Sequence, residues 1–378
     1  MQRPQATPRD NARLPMFRDR RHSLLPHLLA AIYGLSIVYA SLQPFTPWIE
    51  PDPRARFFLF AAWPTRWFHA DVVFNVLAYL PLGFLVTLVP REGSLRWRLA
   101  LAGAVGGVLS FALETLQLHL PQRDASTVDL VTNVLGSLVG GLGGVALLRS
   151  TTLRRAIVRL RERWFLTGGT GDVGISLVAI WLVVQINPGI PLFSTVYDAT
   201  PELGPTVAAF ANAPDLAAVL IEAAHSAFQV LGVGLFVALL MRDPRQVSIA
   251  VVALVGAGLA IKGVAAAVLL KPAAWEHWLS PGVSTGVAAG ALALPIVIAL
   301  PRPAQIAICA TALLSSVLAT LLAPELLTAR APLMLFNWNY GHLLNFNGLT
   351  RSVLMLWPLA ASVYLLVLSG RPRWGSPH

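Results

Sequence analysis

The sequence predicts an all-α protein, a polytopic transmembrane helical bundle of about ten helices with both termini on the cytoplasmic side. Three observations carry that prediction. Hydrophobic residues make up 56% of the 378 and charged residues only 12%, about half the charged share of a soluble globular chain. Apolar stretches follow one another at 24–42, 72–90, 99–118, 128–148, 173–190, 220–241, 247–270, 283–300, 304–323 and 351–369, each long enough to cross a hydrocarbon core of about 30 Å. Of the 28 Lys and Arg, 20 fall in segments this topology leaves inside, 7 outside when Arg351 at the outer edge of its span is counted there, and Lys262 within a span. An excess of that size favours both termini inside. The composition excludes a soluble enzyme, a disulfide scaffold, a disordered tail and a DNA-binding protein. The net charge of +10 is an orientation signal rather than a nucleic-acid footprint. The single cysteine, Cys309, lies in a span, so no intrachain disulfide forms.

Residues 1–23 form a basic cytoplasmic arm with six arginines. Val38-Tyr39-Ala40 has the small-residue spacing of a cleavage site, but the long arm and the nine spans that follow make 24–42 an uncleaved first helix. Residues 53–68 are too short and too charged to span. They interleave Phe57, Phe58, Phe60, Trp63, Trp67 and Phe68 with Arg54, Arg56 and Arg66, which suits a segment lying on the outer membrane face. Residues 24–149 therefore form a four-helix unit. An Arg/Gly-rich cytoplasmic linker at 150–172 follows, read as an orientation signal beside anionic lipid or as a partner-binding patch. Residues 173–378 form a six-helix extension with a short tail.

The four-helix unit carries the chemistry. In the third apolar segment, Gly103, Gly107, Ser110, Glu114 and Gln117 share one narrow helical face, and in the fourth Asp129, Asn133, Gly136, Gly140 and Gly144 do the same. The second opens with Asp71, Asn75 and Ala78 on one face. Glycines at four-residue spacing let backbones approach closely, and here they lie toward the cytoplasmic ends of the third and fourth segments. The polar residues lie toward the outer ends, so close packing brings Glu114 and Gln117 opposite Asp129 and Asn133, with Asp71 and Asn75 at similar depth. The expectation is a polar pocket open to the outer leaflet. Plainer roles exist for each residue: Asp71 as a helix cap, Ser126 to Asp129 as a capping box, Asn75 and Asn133 as interhelical hydrogen bonds, Glu114 as the partner of Arg123. A carboxylate as deep as Glu114 is nevertheless a functional candidate by default.

The strings Asp71-Val72-Val73-Phe74-Asn75 with Pro81-Leu82-Gly83-Phe84, then Glu114-Thr115-Leu116-Gln117, then Arg123-Asp124-Ala125-Ser126-Thr127-Val128-Asp129 running to Asn133 and Gly136 resemble the VanZ-like family. Its four-helix membrane unit carries such signatures in this order. The resemblance covers roughly 24–149. It implies that Asp71, Asn75, Glu114, Gln117, Arg123, Ser126, Asp129 and Asn133 are signature residues. It also implies an envelope role that in some relatives is associated with resistance to teicoplanin-type lipoglycopeptides. The six-helix extension departs from the minimal family unit.

In the extension, Glu222, His225, Gln229 and Gly232 share a face near the outer end of their helix. Glu-x-x-His suits carboxylate-bridged metal sites, but those need a second copy, so neither metal nor cofactor is expected. Lys262, about 12 Å inside its span, needs a counter-ion or a wet cavity, with Glu222 and Glu114 as candidates. The last outer loop, Asn337 to Gly348 with His342, suits sugar or headgroup binding, or equally a turn-rich loop with interface aromatics.

These features give three functional readings. The first is a binding protein of the bacterial cytoplasmic membrane that recognises an outer-leaflet amphiphile, either a lipid-linked glycan intermediate or a lipoglycopeptide-type antibiotic. The second is an intramembrane hydrolase or transferase with Glu114 and Asp129 as acid–base pair; no serine elbow, HExxH or Gly-rich phosphate loop accompanies them. The third, a proton-coupled transporter using Glu114, Lys262 and His225, lacks a sequence repeat and a midplane site. The expected partner is a membrane lipid or lipid-linked intermediate, and no nucleic acid.

Overall fold

The computed structural model describes residues 23–43, 45–53, 55–60, 69–121, 123, 125–188, 214–272, 279–322 and 341–370. Eleven helices run through them: α1 (Leu25–Leu42), α2 (His69–Leu88), α3 (Leu95–Gln117), α4 (Thr127–Arg149), α5 (Thr151–Trp164), α6 (Gly169–Val184), α7 (Pro214–Leu240), α8 (Val247–Leu269), α9 (Pro281–Ile298), α10 (Arg302–Leu322) and α11 (Gly341–Ser369). The all-α prediction holds, with each apolar stretch falling on a helix. Among the described residues, eight helices are long and apolar enough to cross a membrane: α1 to α4, α7, α8, α9 and α11.

Local sequence sets the helix starts. Ser94, Ser126, Ser150 and Ser280 cap α3, α4, α5 and α9, each side chain accepting the backbone N–H three residues on. Pro281 then opens α9, where its missing N–H costs nothing. Gly168 has φ 82°, a left-handed turn that suits glycine and redirects the chain from α5 into α6.

α6 has 16 residues, about 24 Å, yet its contacts carry it across the bundle. Tyr364 donates to the Thr170 carbonyl at 3.1 Å, and Trp357 to the Leu177 carbonyl at 2.8 Å. At the far end Asn187 donates to Asn347 at 3.0 Å. α6 therefore runs antiparallel to α11 over its full depth. α10 follows α7 in the same manner, from Arg302 on the Leu239 carbonyl to Cys309 on the Gly232 carbonyl. These contacts join helix ends that the charge-derived topology places on the same side.

Three expectations change. The linker at 150–172 is mostly helix: α5 fills Thr151–Trp164, and Asp172 lies buried in the first turn of α6. The strongly polar sequence of α5 hid a regular 3.6-residue period. The last outer loop is shorter than expected, because α11 begins at Gly341 and takes in Asn345 to Gly348. Residues 337–340 and the side chain of His342 lie outside the described residues, as do the arm at 1–22, Trp63, Trp67, Phe68 and Arg66. The closest helix pair in the first unit is α2 with α4, rather than α3 with α4. A Cβ on Gly136 or Gly140 would run into the Val76 or Leu80 carbonyl of α2, and one on Gly83 would run into the Ser137 backbone. α3 meets α4 through side chains instead, Gly103 against Leu138 and Gly107 against Val134.

The extension uses the same device. Gly286 and Gly290 of α9 face the Ala223 and Ala227 carbonyls of α7 at distances a Cβ would violate. Around α7, Trp181, Phe236, Leu313, Trp357 and Tyr364 form the larger core. A smaller one joins Tyr79, Leu82, Ala102, Leu113 and Leu120.

Candidate functional site

α2, α3 and α4 bring their polar stripes together in three tiers, one helical turn apart. In the outermost, Asn75 donates its side-chain amide to Asp129 Oδ1 at 2.9 Å, and the Ser126 backbone N–H donates to Glu114 Oε2 at 2.8 Å. In the second, Asn133 donates to Ser110 Oγ at 2.9 Å, and the Tyr79 hydroxyl also meets Ser110. In the third, Ser137 is pressed against Gly106 and its backbone against Gly83. The register follows from the four-residue step: Asn75, Tyr79, Gly83 on α2; Glu114, Ser110, Gly106 on α3; Asp129, Asn133, Ser137 on α4. Gly106, Gly83 and Ser137 pack closely in the third tier.

Glu114 is 5% exposed. A buried carboxylate needs donors, and the N-terminus of α4 supplies one at Ser126 N–H together with the positive end of the helix dipole. Ser126 is bifunctional, because its hydroxyl also caps the Asp129 N–H at 3.4 Å. The Ser126 cap is thus present, and the Asp129 carboxylate accepts a hydrogen bond from Asn75 of α2. Arg123 in the α3–α4 connection forms no direct ion pair with Glu114 among the described residues. It acts at longer range on both carboxylates. Partial burial draws its pKa down and Glu114 and Asp129 oppose that; an arginine stays cationic throughout. The tier therefore holds two carboxylates under one fixed positive charge.

Asp71 sits in the first turn of α2, one turn outside Asn75. Gln117 turns away from the cluster and donates to the Ser41 carbonyl of α1 at 2.9 Å. Thr127 ties the mouth to the aromatic 3-10 turn at Ala55–Phe60 by donating to the Phe58 carbonyl at 2.9 Å. Sequence reasoning missed Tyr79 and Ser137, each one further four-residue step along a stripe already drawn. Asn133 Oδ1 and Ser137 Oγ are buried with no partner among the described residues, which leaves polar capacity inside the cluster.

Of the secondary candidates, Glu222 and His225 lie on α7 and Lys262 on α8, outside the α2–α3–α4 cluster. Lys262, 1% exposed, donates to the Asn187 carbonyl at 2.9 Å, just past the C-terminal end of α6, where a cation is favoured by the helix dipole. Neither Glu222 nor Glu114 forms an ion pair with it among the described residues. Glu222 lies against Gly282 in the first turn of α9, and His225 is buried on α7.

Residues 14–148 match the family model described as VanZ/LLP1. The N-terminal unit is VanZ-like. The match ends with α4, so α5 to α11 lie beyond the VanZ-like unit. No curated protein and no solved structure matches the chain.

Ser110 is the common partner in the second tier. Substituting Ser110→Ala is expected to cost about 1–2 kcal/mol, because Asn133 and Tyr79 both lose it. Thermal unfolding in detergent reads this; no loss would mean the tier repacks without it.

Proposed function

We propose that this multi-pass VanZ-like membrane protein recognises an amphiphile of the outer leaflet in the bacterial cytoplasmic membrane. The ligand would be a lipid-linked glycan intermediate or a lipoglycopeptide-type antibiotic of the teicoplanin kind. The observation that carries this reading is the outermost tier, where Glu114 and Asp129 are held by Ser126 and Asn75 at adjoining helix ends beneath Arg123. Carboxylates accept from sugar hydroxyls or amines, and Arg123 suits a phosphate or carboxylate. The headgroup sits at the mouth while its lipid tail stays in the bilayer. The orphaned acceptor on Asn133 offers one further hydrogen bond to a hydroxyl.

The proximity of two carboxylates also supports a second reading, an intramembrane hydrolase or transferase in which one acts as acid and the other as base.

Native mass spectrometry of the purified protein with lipid identification tests the first reading. Wild type is expected to retain a defined lipid-linked species that the Glu114→Gln/Asp129→Asn variant loses. Only bulk phospholipid, identical in both, would sink it. Incubating the retained species with wild type then separates the readings, since an enzyme converts it and a binding protein returns it unchanged.

A further inference from the structure

We propose that α5 is a membrane-surface helix that binds anionic phospholipid in the cytoplasmic leaflet. Positive-inside orientation needs only cations, whereas α5 carries more than cations. Leu153, Ile157, Leu160 and Trp164 recur at helical spacing on one face. Leu153, Ile157 and Leu160 are 51%, 47% and 51% exposed, although the helix belongs to a bundle with large apolar cores. Arg154 and Arg161 flank the stripe on one side and Arg159 and Arg163 on the other, while Arg155 and Glu162 lie opposite. Val158 is the apolar residue off the stripe. That is the pattern of a helix lying in an interface, its stripe in the acyl region and its arginines at phosphate level.

The fold fixes α5 at that level from both ends. Its N-terminus follows α4 directly through the Ser150 cap. Its last turn is joined to the cytoplasmic end of α7: Arg242 N–H donates to the Trp164 carbonyl at 2.9 Å, its guanidinium to the Glu162 carbonyl at 3.0 Å, and Leu166 N–H to the Leu240 carbonyl at 2.8 Å. Arg161 is paired with Asp172, which also holds Ser23 and Leu24 at the start of α1. A helix about 21 Å long, tied to the cytoplasmic ends of three spans, lies across that face of the bundle. Arg154, Arg155, Arg159 and Arg163 are exposed and free of that clasp. A lipid surface covers stripe and flanks together, and the charge balance of the helix selects anionic headgroups. This inference does not rest on the reading of the outer site.

The test uses the full chain in phosphatidylcholine vesicles with and without phosphatidylglycerol. Cys309 is fully buried, so nitroxides placed by Ile157→Cys and Arg155→Cys report alone. With phosphatidylglycerol, the label at 157 is expected to collide with oxygen and be shielded from a water-soluble nickel complex, and the label at 155 to do the reverse. Native mass spectrometry reads the second arm. Neutralising Arg154, Arg159 and Arg163 to Gln removes exposed side chains only, and each is expected to weaken phosphatidylglycerol retention about fivefold. Equal nickel accessibility at both positions would overturn the proposal and leave the face for a cytoplasmic protein. Unchanged phosphatidylglycerol retention in the triple variant would overturn it as well.

Discussion

Replacing Gly140 by valine is expected to separate α2 from α4 and to unfold the VanZ-like unit at a markedly lower temperature. The added Cβ would meet the Leu80 carbonyl, which is backbone and cannot rotate away. Relief requires the helix axes to move, and they are also locked at Gly136 against Val76 and at Gly83 against Ser137. Overpacking in well-packed cores costs about 1–3 kcal/mol, and a backbone obstacle puts this substitution at the upper end. Moving α2 also pulls Asn75 from Asp129, so retention of any lipid-linked ligand should fall with stability. Gly143→Ala is the control on the same helix, because its Cβ would meet the Phe84 ring at 3.6 Å, an ordinary contact. Gly256→Ala on α8 meets nothing within 4 Å and should be neutral or slightly stabilising. Thermal unfolding in detergent ranks the three; a Gly140→Val protein as stable as Gly143→Ala would mean that α2 and α4 are not in backbone contact.

What the sequence made legible follows from periodicity and charge. Apolar length depends on local composition, so the helices that carry the apolar stretches could be placed from the chain alone. The outer tier was legible for a related reason: Asn75, Glu114, Asp129 and Asn133 sit on stripes, and a stripe on each of three helices has one way to face the others. Which helices touch most closely was not legible. Gly103 and Gly107 look as suited to close packing as Gly136 and Gly140, and only the relative rotation of α3 decides that Gly106 faces Ser137. Side-chain direction was hidden too. Gln117 belongs to the α3 stripe by spacing, yet at the helix end it reaches the Ser41 carbonyl of α1. The sequence leaves Lys262 with a counter-ion or a wet cavity as its alternatives and does not point to the Asn187 carbonyl, because the approach of one helix end to another span is a tertiary feature. The arginine-rich sequence of α5 suggests a linker, although its apolar residues keep helical spacing.

Asp172→Ala should have the largest effect at the end of the bundle where α5 lies. The carboxylate is 0% exposed and accepts from the Leu24 N–H at 2.7 Å, from the Ser23 hydroxyl at 3.1 Å and from Arg161. One side chain thereby joins the start of α1, the last turn of α5 and the first turn of α6. Deleting one member of a buried pair typically costs about 3–5 kcal/mol, because the other charge is left without compensation. Arg161 keeps 18% of its side-chain surface in water, which places the loss at the lower end, about 3 kcal/mol. Asp172→Asn retains an acceptor for the Leu24 N–H and should lose less. A double-mutant cycle with Arg161→Ala, read by thermal unfolding in detergent, separates charge pairing from hydrogen bonding. Strong coupling between the two sites would mean that the ion pair holds α5 against the bundle. Additive losses would instead assign the stability to the hydrogen bonds at Ser23 and Leu24, with α5 then kept in place by its backbone contacts to α7.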